Sequence, residues 1–470
     1  MLPKREYYDI YPSIIPADRE SEITITALER CFIFEDGAEY TVTVYPVNSD
    51  EECYHKPTTR TVLNVKAEGG VIRFKMNFTG EQEHLVLLNK GDVSVEKFNV
   101  FSLNADLYDL IPMKLDLHSH SYRSDGTRDP AALAGYYREQ GYDGFALTDH
   151  NRYYPGGEID EVYEGVNSGF LHIPGEEVHA PRSVVHIVHV GGNESVTEKY
   201  FKYPEVYDKE IEEYLSKVPS HIPEKYVGRY ARAMWATDKI HKAGGIAIFP
   251  HPYWRPAGRV YNVCNEFAML LLKSGMFDAY EIVGGMAQAD MNMSVALWNE
   301  LRSEGYDIPV VGSSDAHRLE NSPFFPFNFT ICFAEKPSTE GVVNAVKSGL
   351  SVAVETNNSD ENTRQWRAYG KLRLVTYAQF LLKHYFPRIE RLRAGEGVAM
   401  RAYAMHDAPK ELIEMHAELA DKFRTRFFGI TECKVPSDEI VAFESNWRNI
   451  QRNGPKTKGS DIYATPNFQI

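Results

Sequence analysis

The stretch Leu115-Asp-Leu-His-Ser-His-Ser-Tyr-Arg-Ser-Asp-Gly126 begins like a half-buried strand and then presents two histidines. His118 and His120 are two residues apart, so on extended backbone their side chains project to the same face. Asp125 follows after a short turn and adds a carboxylate oxygen to the two imidazole nitrogens. This mixture of donors suits Zn, Mn or Fe. The stretch therefore predicts part of a metal site at the end of a strand.

The length and charge of the chain limit the number of domains and the kinds of partner that it is expected to have. Its 470 residues predict two or three domains. Its formal net charge of −15 argues against general binding along a DNA or RNA backbone, because proteins that bind in this way usually carry a basic face. A local basic pocket for one small anion remains compatible with this charge.

The cysteines and the hydropathy pattern indicate a compartment. The five cysteines are scattered, and none forms a Cys-x-x-Cys pair: Cys31, Cys53, Cys264, Cys332 and Cys433. Such a pattern is typical of reduced thiols. The first residues lack the apolar run of a signal peptide, and no stretch approaches the roughly 18 apolar residues of a membrane-spanning helix. We therefore expect a cytoplasmic protein with no membrane partner.

Residues 1–110 alternate apolar and polar side chains with a period of two. The segments that show it are 22–26, 39–45, 60–65, 71–77 and 84–88, separated by turn-rich joints. Short strands at this spacing predict a small β-sandwich. The segment contains no set of residues suited to catalysis or metal binding, which favours a packing or interaction module.

From residue 111 the pattern changes to strand, turn and helix in repetition. Strands are expected at 113–117, 144–148, 183–190, 277–283, 308–312 and 350–355, and within the further stretches 171–178 and 245–252. One helix is predicted to start at Pro130, with Asp129 as its cap and Gly141 after its end. Alternation of this kind predicts a parallel sheet, and the number of units predicts a closed or nearly closed barrel.

Residues with metal-binding side chains stand at the ends of these strands: His118, His120, Asp149, His150, Glu177, His251, Asp315 and His317. In a β/α barrel the carboxyl ends of the strands converge on one face, so these residues are expected to form one cluster. Each of them alone has a simple structural explanation, such as a turn or a helix cap. Their joint position favours a shared site.

These motifs resemble the PHP family, the polymerase and histidinol phosphatase domains. The matching strings are His118-Ser-His120, Leu147-Thr-Asp-His150, Pro174-Gly-Glu-Glu177, Val185-His-Ile-Val188, His251-Pro252 and Gly312-Ser-Ser-Asp-Ala-His317. The resemblance covers residues 112–356. It implies a distorted (β/α)7 TIM-like barrel with two or three divalent metal ions (Zn, Mn or Fe) that hydrolyses phosphoesters. With the flanking segments, the expected domains are a β-sandwich at 1–110, the metallohydrolase barrel at 111–356 and a helical extension at 357–470.

The resemblance also implies a ligand set, carried over residue by residue: His118, His120, Asp125, His150, Glu177, His186, His251, Asp315 and His317. His186 aligns best with the family's histidine, and His189 is the reserve, because the two project to opposite faces of a strand. Asp149 is assigned to orienting a ligand or a water. Gly284-Gly285 stands where the family often has Asn, so that part of the substrate wall differs.

The chemistry of phosphoester hydrolysis explains the need for such a cluster. Metal ions about 3.5–4 Å apart share a water, lower its pKa towards about 7 and bind the negative oxygens. Glu177 is expected to bridge two metals. The proton for the leaving group is expected from a histidine paired with a carboxylate, with His317 and His189 as candidates.

Arginines beside these motifs are candidates for binding the phosphate of a small phosphorylated substrate, because a guanidinium matches two phosphate oxygens. They are Arg152, Arg182, Arg255 and Arg318, and a surface salt bridge is the competing explanation for each. Arg255 is the first choice, since Tyr253 and Trp254 beside it could stack on a base or an imidazole ring.

Two further segments have open interpretations. The long segment between His186 and His251 is expected to be either a lid or an extra helix packed on the barrel. After a polar linker at 356–361, the helical C-terminal segment is expected to form a dimer contact or a cap over the barrel.

Two other functions compete with phosphoester hydrolysis. An amidohydrolase would also use a barrel and a His-x-His motif, but such sites commonly bridge their metals with a carbamylated lysine, and here Glu177 fills that role. A non-catalytic barrel that holds metal for stability is the other alternative. The size of the ligand set counts against it, because structural metal sites rarely need so many donors.

Overall fold

The computed structural model describes residues 7–49, 59–356, 365–433 and 435–453. The chain forms two compact units, one of Met1–Tyr108 with Thr425–Ile470 and one of Asp109–Arg424. The three-domain division expected from the sequence stays a prediction. The polar linker expected at 356–361 lies, after Thr356, outside the described residues.

The first unit contains a sheet of eight strands. They are β1 (Tyr8–Tyr11), β2 (Ile14–Pro16), β3 (Glu20–Ala27), β4 (Glu39–Pro46), β5 (Thr61–Glu68), β6 (Val71–Asn77), β7 (Gln82–Lys90) and β8 (Val93–Leu103). Their order is β1-β3-β6-β5-β4-β7-β8-β2, and β2 with β8 is the parallel pair. Alternate residues such as Ile23, Val42 and Val86 are fully buried, which explains the period of two in the sequence. The predicted sandwich arrangement stays a prediction.

The second unit contains a sheet of ten strands. They are β9 (Ile111–Asp116), β10 (Gly144–Leu147), β11 (Leu171–Val178), β12 (Ile187–Val190), β13 (Ile246–Phe249), β14 (Ala279–Val283), β15 (Val310–Gly312), β16 (Phe329–Ala334), β17 (Ser351–Thr356) and β18 (Trp366–Tyr369). Their order is β15-β14-β13-β12-β11-β10-β9-β16-β17-β18. The runs β9-β10-β11 and β13-β14-β15 are parallel, whereas β12 is antiparallel to both its neighbours.

The chain that leaves β15 pairs with the chain that leaves β9. The backbone N–H of Asp315 donates to the carbonyl of His118 at 2.9 Å, and that of His120 donates to the carbonyl of Ala316 at 3.1 Å. The two ends of the run of seven strands from β9 to β15 therefore meet beside His118 and His120. A mixed α/β fold with a barrel-like sheet is thus confirmed. Strand β16 was not predicted; it pairs antiparallel with β9 on one side and with β17 on the other.

Helices lie between the strands of this unit and after its last strand. They are α2 (Pro130–Glu139), α3 (Pro155–Val162), α4 (Thr197–Lys202), α5 (Pro204–Lys217), α6 (Glu224–Lys242), α7 (Asn265–Lys273), α8 (Gln288–Ser303), α9 (Thr339–Lys347), α10 (Leu372–His384), α11 (Phe386–Ala404) and α12 (Lys410–Phe427), after the single turn α1 (Ala105–Tyr108) of the first unit. Oδ1 of Asp129 accepts from the N–H of Ala131 at 3.0 Å and of Ala132 at 3.1 Å, which confirms the predicted cap of α2.

Helix α11 packs on α2 through charged and small residues. Arg138 of α2 forms a buried ion pair with Glu396 of α11 at 2.8 Å, and Arg393 pairs with Asp143 at 2.7 Å. Among the described residues, no helix is long and apolar enough to cross a membrane. The last helix, α13 (Asp438–Asn453), belongs to the first unit.

Candidate metal centre

The second unit brings all nine predicted ligands together. His118 and His120 follow β9, His150 follows β10, and Glu177 lies near the end of β11. Each of the nine has a ring nitrogen or carboxylate oxygen within 4.0 Å of another member of the set. The convergence expected for strand ends therefore holds for these side chains.

The carboxylate of Glu177 lies at the middle of the cluster and is fully buried. Its two oxygens face six imidazoles. Oε2 lies 2.7 Å from Nδ1 of His150, 3.4 Å from Nε2 of His118 and 3.5 Å from Nε2 of His120, and Oε1 lies 2.9 Å from Nδ1 of His186, 3.3 Å from Nε2 of His179 and 3.4 Å from Nε2 of His251. One carboxylate is thus shared between two sets of nitrogen donors.

Two aspartates complete the cluster. Oδ2 of Asp125 lies 3.3 Å from Nε2 of His150 and 3.2 Å from Nε2 of His317 at the exposed rim. Oδ1 of Asp315 lies 2.9 Å from Nε2 of His120, deeper in the site. Among the residues that the structure describes, four groups have their ligand atoms within 4.8 Å of one another: His120, Asp125, His150 and His317; His118, His120 and Asp315; His118, Glu177 and His251; and His150, Glu177 and His179.

Several of these atoms lack a hydrogen bond despite their burial. Within the described residues, both oxygens of Glu177, Nε2 of His118, Nδ1 of His150 and Nδ1 of His186 have no partner of hydrogen-bond geometry. Buried polar atoms almost always have a hydrogen-bond partner. A group of buried nitrogen and oxygen atoms that lie close together without one therefore needs another kind of partner. Imidazole nitrogens and carboxylate oxygens are donors for Zn and related divalent ions. The residues present therefore fit a centre of divalent metal ions.

The ionisation of the cluster follows from its burial and its mixed charges. Burial alone raises the pKa of the Glu177 carboxyl, but the surrounding imidazoles outweigh it and hold that pKa well below its usual range. Burial lowers the pKa of His186 to about 4. Burial also disfavours the charged form of His150, but the nearby carboxylates of Asp125 and Glu177 outweigh it and raise its pKa to about 10. The carboxylates are therefore ionised and ready to bind cations.

Backbone geometry at the ends of β13 to β15 makes room for these groups. His251 and Asp315 have positive φ angles of 26° and 50°. Such conformations cost roughly 1–3 kcal/mol each and persist where the surroundings enforce them. A Cβ on Gly285 would lie 2.3 Å from Oδ2 of Asp315, and one on Gly284 would lie 2.6 Å from Oε1 of Glu281. These two glycines thus allow the backbone to pass against two carboxylates.

Asp149 lies beside the cluster and organises the loop of Asp125. It is fully buried, and its oxygens accept from the N–H of Ser121 at 2.8 Å, from the hydroxyl of Ser121 at 2.6 Å and from the hydroxyl of Ser124 at 2.6 Å. Its carboxylate is thereby engaged by the turn between His120 and Asp125. The structure places it as a support for a ligand loop.

The two candidate histidines of the β12 region have different surroundings. His186 lies in the cluster, whereas Nδ1 of His189 lies 3.1 Å from Oε1 of Glu176. The strand is also shorter than predicted, because β12 begins at Ile187 and the expected strand began at 183. His186 therefore belongs to the loop that leads into the strand.

The four arginines are engaged outside the cluster or exposed. Arg152 donates to the hydroxyl of Tyr154 at 2.8 Å, and Arg182 pairs with Asp208. Arg255 forms an ion pair with Asp290 at 2.7 Å. Arg318 is exposed. In the described part of the chain, none of the four pairs with a carboxylate of the cluster, and their role in binding substrate stays a prediction.

The aromatic residues beside Arg255 differ in access. Tyr253 is 1% exposed, whereas Trp254 is 38% exposed. The centroid of the Trp254 ring lies 5.8 Å from that of His186 and 6.0 Å from that of His251. Of this pair, Trp254 is therefore the aromatic side chain that a molecule bound at the cluster can reach.

Two members of the site were not predicted. Oε2 of Glu281, in the middle of β14, lies 3.0 Å from Nδ1 of His118, and His179 faces Glu177. Glu281 lies two residues before the end of a predicted strand, close to where the predicted ligands stand. His179 follows Glu177 by two residues, the spacing that singled out His118 and His120. Both signals were present in the sequence.

Fold and site together define a mixed α/β protein with a candidate centre for several metal ions. No protein-family model matches the chain, and neither does any curated protein. Among solved structures, the chain is similar to a two-domain protein of Bacteroides vulgatus that contains a predicted PHP-like metal-dependent phosphoesterase. The identity is 17%, the match covers 56% of this chain and 77% of that one, and the TM-score is 0.38.

Two further solved structures are similar to part of the chain. One, from Bifidobacterium adolescentis, is named as a metal-dependent phosphoesterase, with 20% identity, coverage of 43% and 87% of the two chains, and a TM-score of 0.30. The other is an amidohydrolase of Chromobacterium violaceum with bound sulfate and no metal, with 19% identity, coverage of 44% and 89%, and a TM-score of 0.30. One of these structural neighbours thus carries the family name that the motifs led us to expect. Identity and TM-score are low in each case, so the proposed function rests on the site itself.

Proposed function

We propose that this chain is a metal-dependent phosphoesterase that acts on a small phosphorylated metabolite or a nucleotide. The observation that carries the proposal is the buried Glu177 carboxylate, with three imidazoles facing each of its oxygens. A carboxylate in this position is suited to bridge two metal ions. The donor set fits two or three ions of Zn, Mn or Fe.

Bound divalent ions would supply positive charge to the phosphate oxygens and lower the pKa of a water to about 7. The chain's own residues hold the arrangement. Glu281 orients the ring of His118 through Nδ1, and Asp149 holds the loop that carries Asp125. Such supporting hydrogen bonds set the orientation of metal ligands.

Hydrolysis forms a bond from the water oxygen to phosphorus, breaks the ester P–O bond and delivers a proton to the leaving oxygen. His317 is our candidate for that proton, held on Nε2 beside Asp125 at 3.2 Å; in this role it is a protonated imidazole and not a metal ligand. Its side chain is 36% exposed, whereas that of His189 is fully buried against Glu176. The accessible position favours His317.

The cleft lined by the loop that follows His317 in sequence is our candidate for holding the rest of the substrate. It has a volume of about 910 Å³ and is lined by the loop of Leu319 to Asn328, which starts two residues after His317, and by Gln288 at the start of α8. Its walls combine phenylalanine rings with polar groups such as Asn321. A ligand that is partly apolar and carries hydrogen-bonding groups fits this lining.

We also propose a specific barrel type and a cellular compartment for this protein. We infer a distorted (β/α)7 barrel from the run β9 to β15, supported by the pairing of the chain after β15 with the chain after β9. The scattered cysteines support a cytoplasmic location.

An amidohydrolase is the competing enzyme class. In such enzymes a lysine commonly bridges the metals, and here Glu177 stands in that place. Lys114 is a buried lysine on β9, but its ammonium group is engaged elsewhere. It donates to the carbonyl of Gln140 at 2.7 Å and lies 4.4 Å from the centroid of the Tyr142 ring. The central carboxylate therefore favours phosphoester hydrolysis.

The experiment measures hydrolysis of an aryl phosphate, an aryl phosphodiester and an aryl amide after loading with Zn, Mn or Fe. The variants are Glu177→Gln and, as a control, His241→Gln, whose side chain pairs with Asp278 on the surface. We expect the wild type and the control to cleave at least one phosphate ester, and Glu177→Gln to be slower by about 10³-fold, equivalent to about 4 kcal/mol. Cleavage of the amide without either ester, or full activity of Glu177→Gln, would refute the proposal.

A further inference from the structure

His179 lies in the metal centre but is not one of the nine residues that the family motifs supply. It follows Glu177 by two residues at the end of β11. On extended backbone, residues at this spacing project to the same face, so both side chains reach the same point. Nε2 of His179 lies 3.3 Å from Oε1 of Glu177.

The ring of His179 is packed among other members of the centre. Its centroid lies 3.7 Å from that of His186, with an angle of 24° between the planes, and 4.6 Å from that of His150. The ligand atoms of His150, Glu177 and His179 lie within 4.8 Å of one another. In the part of the chain that the structure describes, the buried Nε2 of His179 has no hydrogen-bond partner. A nitrogen in this situation is available to a cation.

The loop after β10 fixes the position of His179. Oδ1 of Asn151 accepts from the backbone N–H of His179 at 3.2 Å and also from the hydroxyl of Tyr200. The N–H of Asn151 donates to the carbonyl of Glu177 at 3.0 Å. The loops that carry His150 and His179 are thereby tied together, so the nitrogen of His179 is held in place before any ion binds.

We propose that His179 is a metal ligand of this chain, sharing one ion with His150 and Glu177. The proposal rests on the proposed metal centre and goes beyond it, because it assigns a ligand outside the motif set. Two imidazoles and a carboxylate are a donor set of catalytic zinc sites, which leave a coordination position open. Such a nitrogen-rich set binds Zn²⁺ more tightly than Mn²⁺.

The test compares two substitutions with a surface control. His179→Phe keeps a ring against His186 but removes the nitrogen. His179→Gln removes the ring and places an amide that can donate a hydrogen bond near Glu177. His241→Gln removes a histidine outside the centre. Each protein is stripped of metal and dialysed against buffers of set free Zn²⁺, and bound zinc per chain is measured by elemental analysis. The visible absorption of the Co²⁺-loaded proteins is a second readout, and melting curves of the metal-free proteins check the fold.

We expect the wild type and His241→Gln to bind the same number of zinc ions. Both His179 variants should lose one ion per chain, or bind their weakest ion at least about tenfold less tightly. Full binding by His179→Gln alone would mean that the residue only positions Glu177, and full binding by both variants would mean that it has no role; either result overturns the proposal. A wild type that binds no zinc, manganese or iron would instead refute the metal centre itself.

Discussion

The carboxylate of Glu281 lies 3.0 Å from Nδ1 of His118, on the side of the ring opposite Nε2, which faces Glu177 at 3.4 Å. Both carboxylates and the imidazole are fully buried. A hydrogen bond from Nδ1 to a carboxylate fixes the tautomer, so that Nε2 presents its lone pair to a metal, and it raises the basicity of the ligand. Glu281 is therefore a positioning residue for His118.

Substitution of Glu281 tests this relationship. We expect Glu281→Gln to lower metal affinity or hydrolysis by about 10–100-fold, because a neutral amide supports the imidazole less strongly than a carboxylate does. Equilibrium dialysis against buffered Zn²⁺ measures the affinity. Glu300→Gln, at an exposed position of α8, is the matched control. Equal zinc affinities of the two variants would show that Glu281 does not support the ligand.

The metal-free protein should show a pH dependence at His150. Its pKa is raised from the ordinary value of 6.5 to about 10 in the folded state, so its charged form stabilises the fold. This contribution is complete below about pH 6.5 and is lost as the pH rises through about 10. Urea unfolding of the chelator-treated wild type and of His150→Gln measures it. We expect the difference in unfolding free energy between the two proteins to shrink from pH 6 to pH 10, and a constant difference would contradict the assignment.

The contact of α2 with α11 depends on glycine. A Cβ on Gly397 would lie 2.3 Å from the backbone nitrogen of Glu139 and 2.4 Å from the carbonyl oxygen of Gly135. We expect Gly397→Ala to destabilise the protein by about 1–3 kcal/mol, because the two helices must move apart. Gly157→Ala in α3 is the control, since its added Cβ meets no atom within 4 Å.

The two glycine variants are compared by denaturant unfolding. The control should be neutral or more stable by up to about 1 kcal/mol, because alanine restricts the unfolded chain. Equal stabilities of the two variants would show that the helices tolerate a wider spacing.

Local patterns predicted much of the fold and of the site. The strand-end positions of His118, His150 and Glu177 follow from the alternation of strands and helices, since such strands bring their carboxyl ends to one face. The start of α2 follows from Asp129 and Pro130, because capping is a local interaction. These features depend on short stretches of sequence, which is why they could be predicted.

Other features depend on partners far away in the chain. Strand β16 adds to β9 across more than 200 residues, and residues 329–334, fully buried, show no alternation to mark it. The arginines next to ligand motifs pair with residues such as Asp208 and Asp290, which sequence proximity does not reveal. Glu281 gains its role from His118, which precedes it by 163 residues.

The most direct test of the account is the metal content of the protein purified without added metal, measured by elemental analysis together with chelator-sensitive hydrolysis of the aryl phosphate and phosphodiester. The account predicts two or three divalent ions per chain and loss of hydrolysis on chelation, with recovery when Zn, Mn or Fe is restored. One ion or none, with no hydrolysis of either ester after reconstitution, would contradict it.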